Sequence, residues 1–214
     1  YTGYIHFLRG YAYYHILMTC GPAILVGDEI FESNLEGPAY NTYRATYDET
    51  VEYICSELET AAAYLPLKAS IAQFERPTKG AAYALIARLR LHAASPLFNG
   101  TSTARLYFGN WKRTYDKEYY VNQNYSEEKW ALAAAACKRV IDMNVYELFT
   151  VSKDQNTPQL PAGVPTENFP DGAGGIDPFK SYSYMFTGDE PFKNNNEIIW
   201  GRISEEVKGY TQQS

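Results

Sequence analysis

The chain has 214 residues, of which 45% are hydrophobic and 21% charged, a composition typical of a folded globular protein and not of a disordered one. Its net charge of -6 argues against a nucleic-acid partner, because binding to a phosphate backbone depends on clustered Lys and Arg. The three cysteines (Cys20, Cys55 and Cys137) are too few and too far apart for a disulfide framework. Because all three lie within or beside apolar helical faces, we expect buried thiols. No run of apolar residues approaches the roughly 20 that a membrane-spanning helix needs.

The first predicted helix covers about residues 4–19. Ile5, Leu8 and Ile16 recur at helical spacing, and aromatic residues occupy a neighbouring face. A helix that is apolar on nearly every side is expected to pack between other helices. Because the chain begins in this helix without an initiator methionine, we expect an internal piece of a longer protein, with any export signal or lipid anchor upstream.

Two further helices have clear start and stop signals. After an extended stretch at 23–31 and a polar connection, Asp48 is the predicted N-cap of a helix that Pro66 ends. The next helix begins near Thr78 and is ended by Pro96. Its predicted apolar face consists of Ala82, Leu85, Ile86, Leu89 and Ala93.

A fourth helix is predicted from about Ser126, where acidic residues occupy the first turn. Alanines cluster in these helices, at 61–63 and 133–136 among other positions. Small residues let helices approach closely and stack in antiparallel pairs. The pattern is similar to tetratricopeptide repeats, although no strict 34-residue repeat is legible. We therefore predict an all-α fold of degenerate tetratricopeptide-like helical repeats over residues 1–149.

Two long stretches, 99–125 and 150–196, are predicted to be irregular loops. Loops of this length inside a compact domain are uncommon and are usually functional or disordered. Their many aromatic residues favour a functional role. We interpret residues 150–214 as a loop-rich region that leads into a truncated second subdomain, with a strand or short helix after Glu197. The aromatic residues are Tyr107, Phe108, Trp111, Tyr115, Tyr119, Tyr120 and Tyr125 in the first stretch, and Phe169, Phe179, Tyr182, Tyr184, Phe186 and Phe192 in the second.

Several sequence blocks, in a fixed order, resemble those of one protein family. They are FLRGYAYY at 7–14, the Arg-then-helix block at 44–66, TKGAA at 78–82, SPLFNG at 95–100 and the helix at 129–142. With these blocks the chain resembles the SusD/RagB-like family of outer-membrane nutrient-binding lipoproteins. The resemblance covers nearly all of residues 5–149. Members of that family are typically more than twice as long as this chain.

The resemblance implies a function in nutrient uptake. A chain of this family is expected to bind oligosaccharide without altering it, and to deliver it to a TonB-dependent outer-membrane transporter of the SusC-like type. The expected location is the outer surface of the bacterial outer membrane, with attachment only through a lipid anchor outside this chain. Neither a cofactor nor a nucleic-acid partner is implied.

A glycan site needs flat aromatic side chains that stack on sugar rings, together with polar side chains that exchange hydrogen bonds with hydroxyls. We therefore expect Trp111, Tyr182 and Tyr184 to form part of a stacking platform, with Asn110 and Asp177 as polar partners. The alternative for each residue is that it packs its loop onto the helical core.

Motifs for catalysis or metal binding are not found in the sequence. The three histidines (His6, His15 and His92) are isolated, so we predict no metal site. No nucleophile elbow or Cys-His arrangement is present, and no pair of acids stands out, so we predict that the protein is not an enzyme. Two alternatives stay open. They are a helical-repeat scaffold that binds a protein or peptide, and an all-helical carbohydrate-active enzyme.

Overall fold

The computed structural model describes residues 1–34, 36–37, 42–70, 73–187 and 195–201. This part of the chain contains six α-helices and, apart from isolated β-bridges, no β-structure, which confirms the predicted all-α fold class. None of these six helices is both long and apolar enough to cross a membrane. The helices are α1 (Thr2–Cys20), α2 (Tyr47–Tyr64), α3 (Lys79–Ala94), α4 (Ser102–Phe108), α5 (Glu127–Ile141) and α6 (Pro178–Thr187).

The chain divides into two compact units. The first comprises Tyr1–Ala69 and Arg76–Met143 and contains α1 to α5. The second comprises Ser70–Glu75 and Asn144–Ser214 and contains α6. Within the second unit the Trp200 indole N–H donates to the carbonyl oxygen of Glu75 at 2.8 Å, which ties its two chain segments together.

Helices α1 and α2 pack against each other in antiparallel orientation. Gly3 lies against Ala61, and Gly10, two turns later in α1, lies against Leu58, one turn earlier in α2. A Cβ atom at Gly10 would lie 3.0 Å from Cγ of Leu58. The two helices therefore approach as closely as small residues allow, as the sequence predicts.

Helix α3 packs between α2 and α5, again with antiparallel neighbours. Arg90 of α3 forms a bidentate ion pair with Glu52 near the start of α2. Tyr83, near the start of α3, lies under the guanidinium group of Arg139 near the end of α5, 3.8 Å from the ring centroid. The row of α1, α2, α3 and α5 thus has the tetratricopeptide-like pairing that we predict. Its largest fully buried side chains include Phe7, Tyr47, Val51, Ile54, Leu58 and Leu89.

The predicted N-terminal residue is wrong for α2 and correct for α3. The N-cap of α2 is Thr46 and not Asp48, which lies inside the first turn. The Thr46 hydroxyl accepts a hydrogen bond from the backbone N–H of Glu49, and the Thr46 N–H donates to the Glu49 carboxylate, so the two residues form a capping box. For α3 the predicted start is confirmed, because the hydroxyl of Thr78 accepts from the N–H of Ala81 at 3.2 Å.

Two helices lie where we predict loops. Helix α4 interrupts the first long stretch, and α6 interrupts the second. The start of α6 carries a signal that the sequence interpretation missed, since Asp177 precedes Pro178 and this pair suits the N-cap and first helical positions. The predicted extended stretch at 23–31 contains no strand. Residues 195–201 contain neither helix nor strand, and the rest of the predicted tail element lies outside the described residues, as does part of the polar connection before residue 42.

The three cysteines do not share one environment. Cys55 is buried in α2, as predicted, whereas Cys20 and Cys137 are exposed. Cys20 is the last residue of α1, and Cys137 lies on α5, where Ala133 is the buried residue. The prediction of three buried thiols is therefore wrong for Cys20, which ends α1, and for Cys137, which is exposed although it follows the buried Ala133 by one helical turn.

Candidate functional site

The segment after α4 turns back on itself as a short antiparallel hairpin, residues 111–120. The Arg113 N–H donates to the carbonyl oxygen of Glu118 at 2.7 Å, and the Tyr120 N–H donates to the carbonyl oxygen of Trp111 at 3.1 Å. Side chains alternate between the two faces of such a ladder. Trp111, Arg113 and their two partners therefore lie on the same face of the hairpin.

The hairpin belongs to the segment 99–126, and a buried side-chain amide holds the two ends of this segment together. The side-chain amide of Asn99 donates to the carbonyl oxygens of Ala94 and Ser126, and its oxygen accepts from the Ser126 N–H at 2.9 Å. Next to it, Gly100 has a φ of +58°, and a Cβ atom there would lie 2.0 Å from the carbonyl carbon of Asn124. The two ends of the segment are therefore in direct contact, which restricts the movement of the hairpin.

One guanidinium group holds the hairpin to the first turn of α2. Arg113 is buried, and it donates to Glu49 at 3.0 Å, to both carboxylate oxygens of Asp116, and to Glu118. Desolvation tends to raise the pKa of Asp116, but hydrogen bonds from the Glu118 N–H and from the guanidinium group lower it below its ordinary value. The carboxylate is thus kept charged, as the ion pair requires.

A continuous series of aromatic rings leads from the core to the hairpin. Tyr47 stacks on Phe98 with ring centroids 4.3 Å apart, and Phe98 contacts Phe108 at 5.8 Å. Phe108 contacts Trp111 at 6.1 Å, and Trp111 contacts Tyr120 at 4.7 Å. Tyr47 is fully buried, whereas Trp111 and Tyr120 are half-buried. The series therefore supports two rings that reach solvent.

Two further tyrosines form an exposed pair near the tip of the hairpin. Tyr43 is 66% exposed and Tyr115 is 48% exposed, and their ring centroids are 4.1 Å apart. The guanidinium carbon of Arg113 lies 5.1 Å from the Tyr115 centroid. Sequence reasoning did not select this pair, because no local signal connects a residue before α2 with a hairpin that follows α4. Only the folded arrangement brings them together.

Trp111 lies partly against the helical core and partly at the surface. One edge of its indole ring faces the end of α1, where a Cβ atom on Gly21 would lie 3.5 Å away. The rest of the side chain is partly exposed, and Asn110, immediately before it, is exposed. These two predicted residues lie side by side on the surface of the first unit.

Asp177 does not lie where we expected a polar ligand contact. Its side chain is fully buried, and the carboxylate accepts hydrogen bonds from the Lys180 N–H at 2.9 Å and the Thr157 hydroxyl at 2.8 Å. The hydrogen bond from the Lys180 N–H is the main cause of its lowered pKa. This corrects the expectation, because the carboxylate caps α6 and does not face solvent.

The two predicted tyrosines of the second unit lie on α6, and not on a loop. Tyr182 is 70% exposed, whereas Tyr184 is half-buried. Residues two positions apart point in nearly opposite directions around a helix, so the two rings do not share one flat surface. Asn110 and Trp111 belong to the first unit, and Asp177, Tyr182 and Tyr184 belong to the second.

Potential metal ligands do not cluster in the part of the chain that the structure describes. No group of three or more His, Cys, Asp or Glu side chains is suited to hold a metal ion there.

Comparisons with known proteins bear on both sequence and fold. A SusD-like family model, described as starch-binding and associating with the outer membrane, matches residues 1–91. A search of curated proteins gives no match. The solved structure of the protein BT4246 is 26% identical, with a TM-score of 0.69, and the match covers 95% of this chain and 34% of that chain.

A second solved structure shows the same fold. It is a SusD-like protein (BF3747) from Bacteroides fragilis NCTC 9343, 21% identical with a TM-score of 0.57, and the match covers 95% of this chain and 27% of that chain. This chain therefore spans about a third or less of the length of the structures that it matches. The resemblance inferred from the sequence blocks is confirmed, since the chain is similar to SusD-like proteins in sequence over residues 1–91 and in fold over 95% of its length.

Proposed function

We propose that this chain belongs to a non-catalytic receptor at the bacterial cell surface, which binds oligosaccharide and delivers it to a SusC-like, TonB-dependent transporter of the outer membrane. The description of the matching family model, starch-binding and associating with the outer membrane, supports the ligand class and the location. The hairpin supplies the chemistry that such a role requires.

The proposal depends on Trp111, at the start of the hairpin, and on Asn110, which lies immediately before it. The exposed part of an indole ring offers a flat apolar surface to the C–H face of a sugar. An exposed Asn amide both donates and accepts hydrogen bonds, as sugar hydroxyls do. Because Arg113 and Asn99 hold the hairpin in one conformation, little ordering entropy is lost when a ligand binds.

The state of the carboxylates supports binding over hydrolysis. A glycosidase needs an acid with a raised pKa, facing a second carboxylate across a cleft. The hydrogen bond from the Lys180 ammonium group lowers the pKa of Asp154, and the pKa values of Asp116 and Asp177 are lowered as described above. Glu57, a buried carboxylate, is bound by both His6 and Arg9. The three aspartates are thus held in hydrogen bonds and ion pairs that favour their charged form.

One observation favours a second candidate function, the protein-binding scaffold. Helix α1 exposes Ile5 and Leu8, and α5 exposes Ile141, each by more than half of its surface. Exposed aliphatic side chains on the two outer helices of a row are suited to pack against further helices. Such a scaffold would bind a protein partner and would have no measurable affinity for sugars.

The test is isothermal titration calorimetry of the protein against a panel of plant, host and microbial oligosaccharides, followed by an assay for new reducing ends. Binding without cleavage is expected. The variants Trp111→Ala and Asn110→Ala are expected to weaken binding. The matched control is Trp130→Ala, which removes another partly exposed indole, 41% exposed on α5, and is expected to leave affinity unchanged. Cleavage, or no binding across the panel, would refute the proposal.

Delivery to the transporter is tested separately. The protein is expected to co-purify with a SusC-like transporter from the outer membrane. Its recovery only in the unbound fraction would remove that part of the proposal and leave the sugar-binding part standing.

A further inference from the structure

Helix α6 carries a row of exposed aromatic rings. Phe179, Tyr182 and Phe186 follow one another at positions i, i+3 and i+7, which places them on one face of the helix. They are 43%, 70% and 69% exposed, and the ring centroids of Tyr182 and Phe186 are 5.1 Å apart. We call these three residues the aromatic row of α6.

Other residues of α6 attach the helix to the rest of the second unit. The hydroxyl of buried Ser181 donates to the carbonyl oxygen of Asp177 at 2.6 Å and accepts from the Val151 N–H at 2.8 Å. The Lys180 ammonium group donates to Asp154 at 2.7 Å. Since these contacts and the cap at Asp177 hold α6 in place, the aromatic row is presented to solvent on a helix that is already fixed.

The composition of the row distinguishes it from the other exposed apolar faces. Helices α1 and α5 expose aliphatic side chains such as Ile5 and Ile141, which suit packing against another helix. The row of α6 contains only aromatic rings, and Tyr182 adds a hydroxyl group. Stacking on the C–H faces of sugars depends on the ring surface itself, so this face is suited to a carbohydrate.

The charges around α6 indicate which sugars it suits. The aromatic row contains no charged side chain. The nearest cation along the helix, Lys180, is paired with Asp154 and also lies 3.6 Å from the carboxylate of Asp177. Helix α6 itself therefore offers an acidic sugar no unpaired cation, and the row favours uncharged sugar rings.

We propose that the aromatic row of α6 is a second carbohydrate-binding surface, which stacks on the rings of a neutral oligosaccharide. The proposal rests on the proposed function, and it adds Phe179 and Phe186, which sequence reasoning did not select, while it omits Tyr184. The aromatic row lies in the second compact unit of the chain, whereas the hairpin lies in the first.

The experiment compares three variants of the protein by calorimetry. The probe is maltoheptaose, a neutral glucan, or the tightest neutral binder of the oligosaccharide panel if another is tighter. The double variant Tyr182→Ala/Phe186→Ala is expected to bind roughly tenfold or more weakly, since it removes two stacking rings. Tyr182→Phe, which keeps the ring, is expected to stay within about threefold of the original affinity, since it loses at most a single hydrogen bond.

The matched control is Tyr64→Ala, which removes an equally exposed tyrosine, 66% exposed at the end of α2, and is expected to leave affinity unchanged. Thermal melts establish that each variant is folded. Unchanged affinity of the double variant for a glycan that the original protein binds would overturn the second surface, whereas the proposed function would stand. If the original protein binds no glycan, the proposed function fails and the second surface fails with it. Preferential binding of acidic glycans through the row would overturn the assignment to neutral sugars.

Discussion

Replacement of Gly100 by alanine is expected to destabilise the base of the hairpin segment through two separate effects. Gly100 has a φ of +58°, a conformation that costs an alanine about 1 kcal/mol relative to glycine. The new Cβ atom would also lie 2.0 Å from the carbonyl carbon and 2.3 Å from the carbonyl oxygen of Asn124. Backbone atoms cannot rotate away as a side chain can, so we expect about 1–3 kcal/mol more for the overlap. The sum is about 2–4 kcal/mol.

Gly27→Ala separates the two effects, because Gly27 has a similar φ of +65° and no heavy atom within 4 Å of the Cβ position. This control is expected to lose only about 1 kcal/mol. For a chain of this size, 1 kcal/mol corresponds to about 2–4 °C in Tm. We therefore expect thermal unfolding, followed by circular dichroism, to show a fall of about 5–15 °C for Gly100→Ala and of about 2–4 °C for Gly27→Ala.

The same variants also test the link between the base and the ligand site. If the contact at Asn124 positions the hairpin, Gly100→Ala should weaken glycan binding at a temperature where both variants are fully folded, and Gly27→Ala should not. Equal losses of stability in the two variants would refute the steric argument. A large loss of stability in Gly100→Ala with unchanged affinity would refute the positional one.

Three further predictions concern buried groups of the first unit. Asn99→Ala removes the three hydrogen bonds that close the hairpin segment, and a loss of about 2–3 kcal/mol in the free energy of urea unfolding is expected; a loss below 1 kcal/mol would show that water replaces the amide. Thr46→Ala removes one half of the capping box of α2, and about 1 kcal/mol is expected in the same assay with glycan affinity unchanged. Burial raises the pKa of the Cys55 thiol to about 12. A maleimide at pH 7.5 should therefore modify only Cys20 and Cys137 in the native protein, and all three thiols in denaturant. Modification of three thiols in the native protein would contradict the burial of Cys55.

The four longer helices of the first unit could be predicted because their signals are local. Apolar residues at helical spacing and terminal prolines identified α2 and α3, and Thr78 was predicted at the start of α3. The error at Thr46 has a simple cause, since Asp48 is also a good N-cap residue and only the geometry decides between them. Helix α6 was missed because its ten residues lie among glycines and prolines, although Asp177 and Pro178 mark its start.

The candidate site was predictable only in part. Trp111 and Asn110 could be selected because a long stretch rich in aromatic and polar residues supplies the side-chain types that a sugar site needs. The pair of Tyr43 and Tyr115 could not, because it depends on contacts between distant segments. The capping role of Asp177 could have been predicted from the Pro178 that follows it, but aspartate is also a common ligand contact, and the residue type alone does not decide between the two.

The residues that hold the hairpin in place, its framework, are different from the residues that it exposes to solvent. The framework depends on Asn99, Gly100 and Arg113, whose side chain or backbone is fixed by the contacts described. Asn110 and Tyr115 face solvent and take no part in closing the segment. Exchange of these outward side chains would thus change the chemistry of the exposed surface while the scaffold beneath keeps its shape.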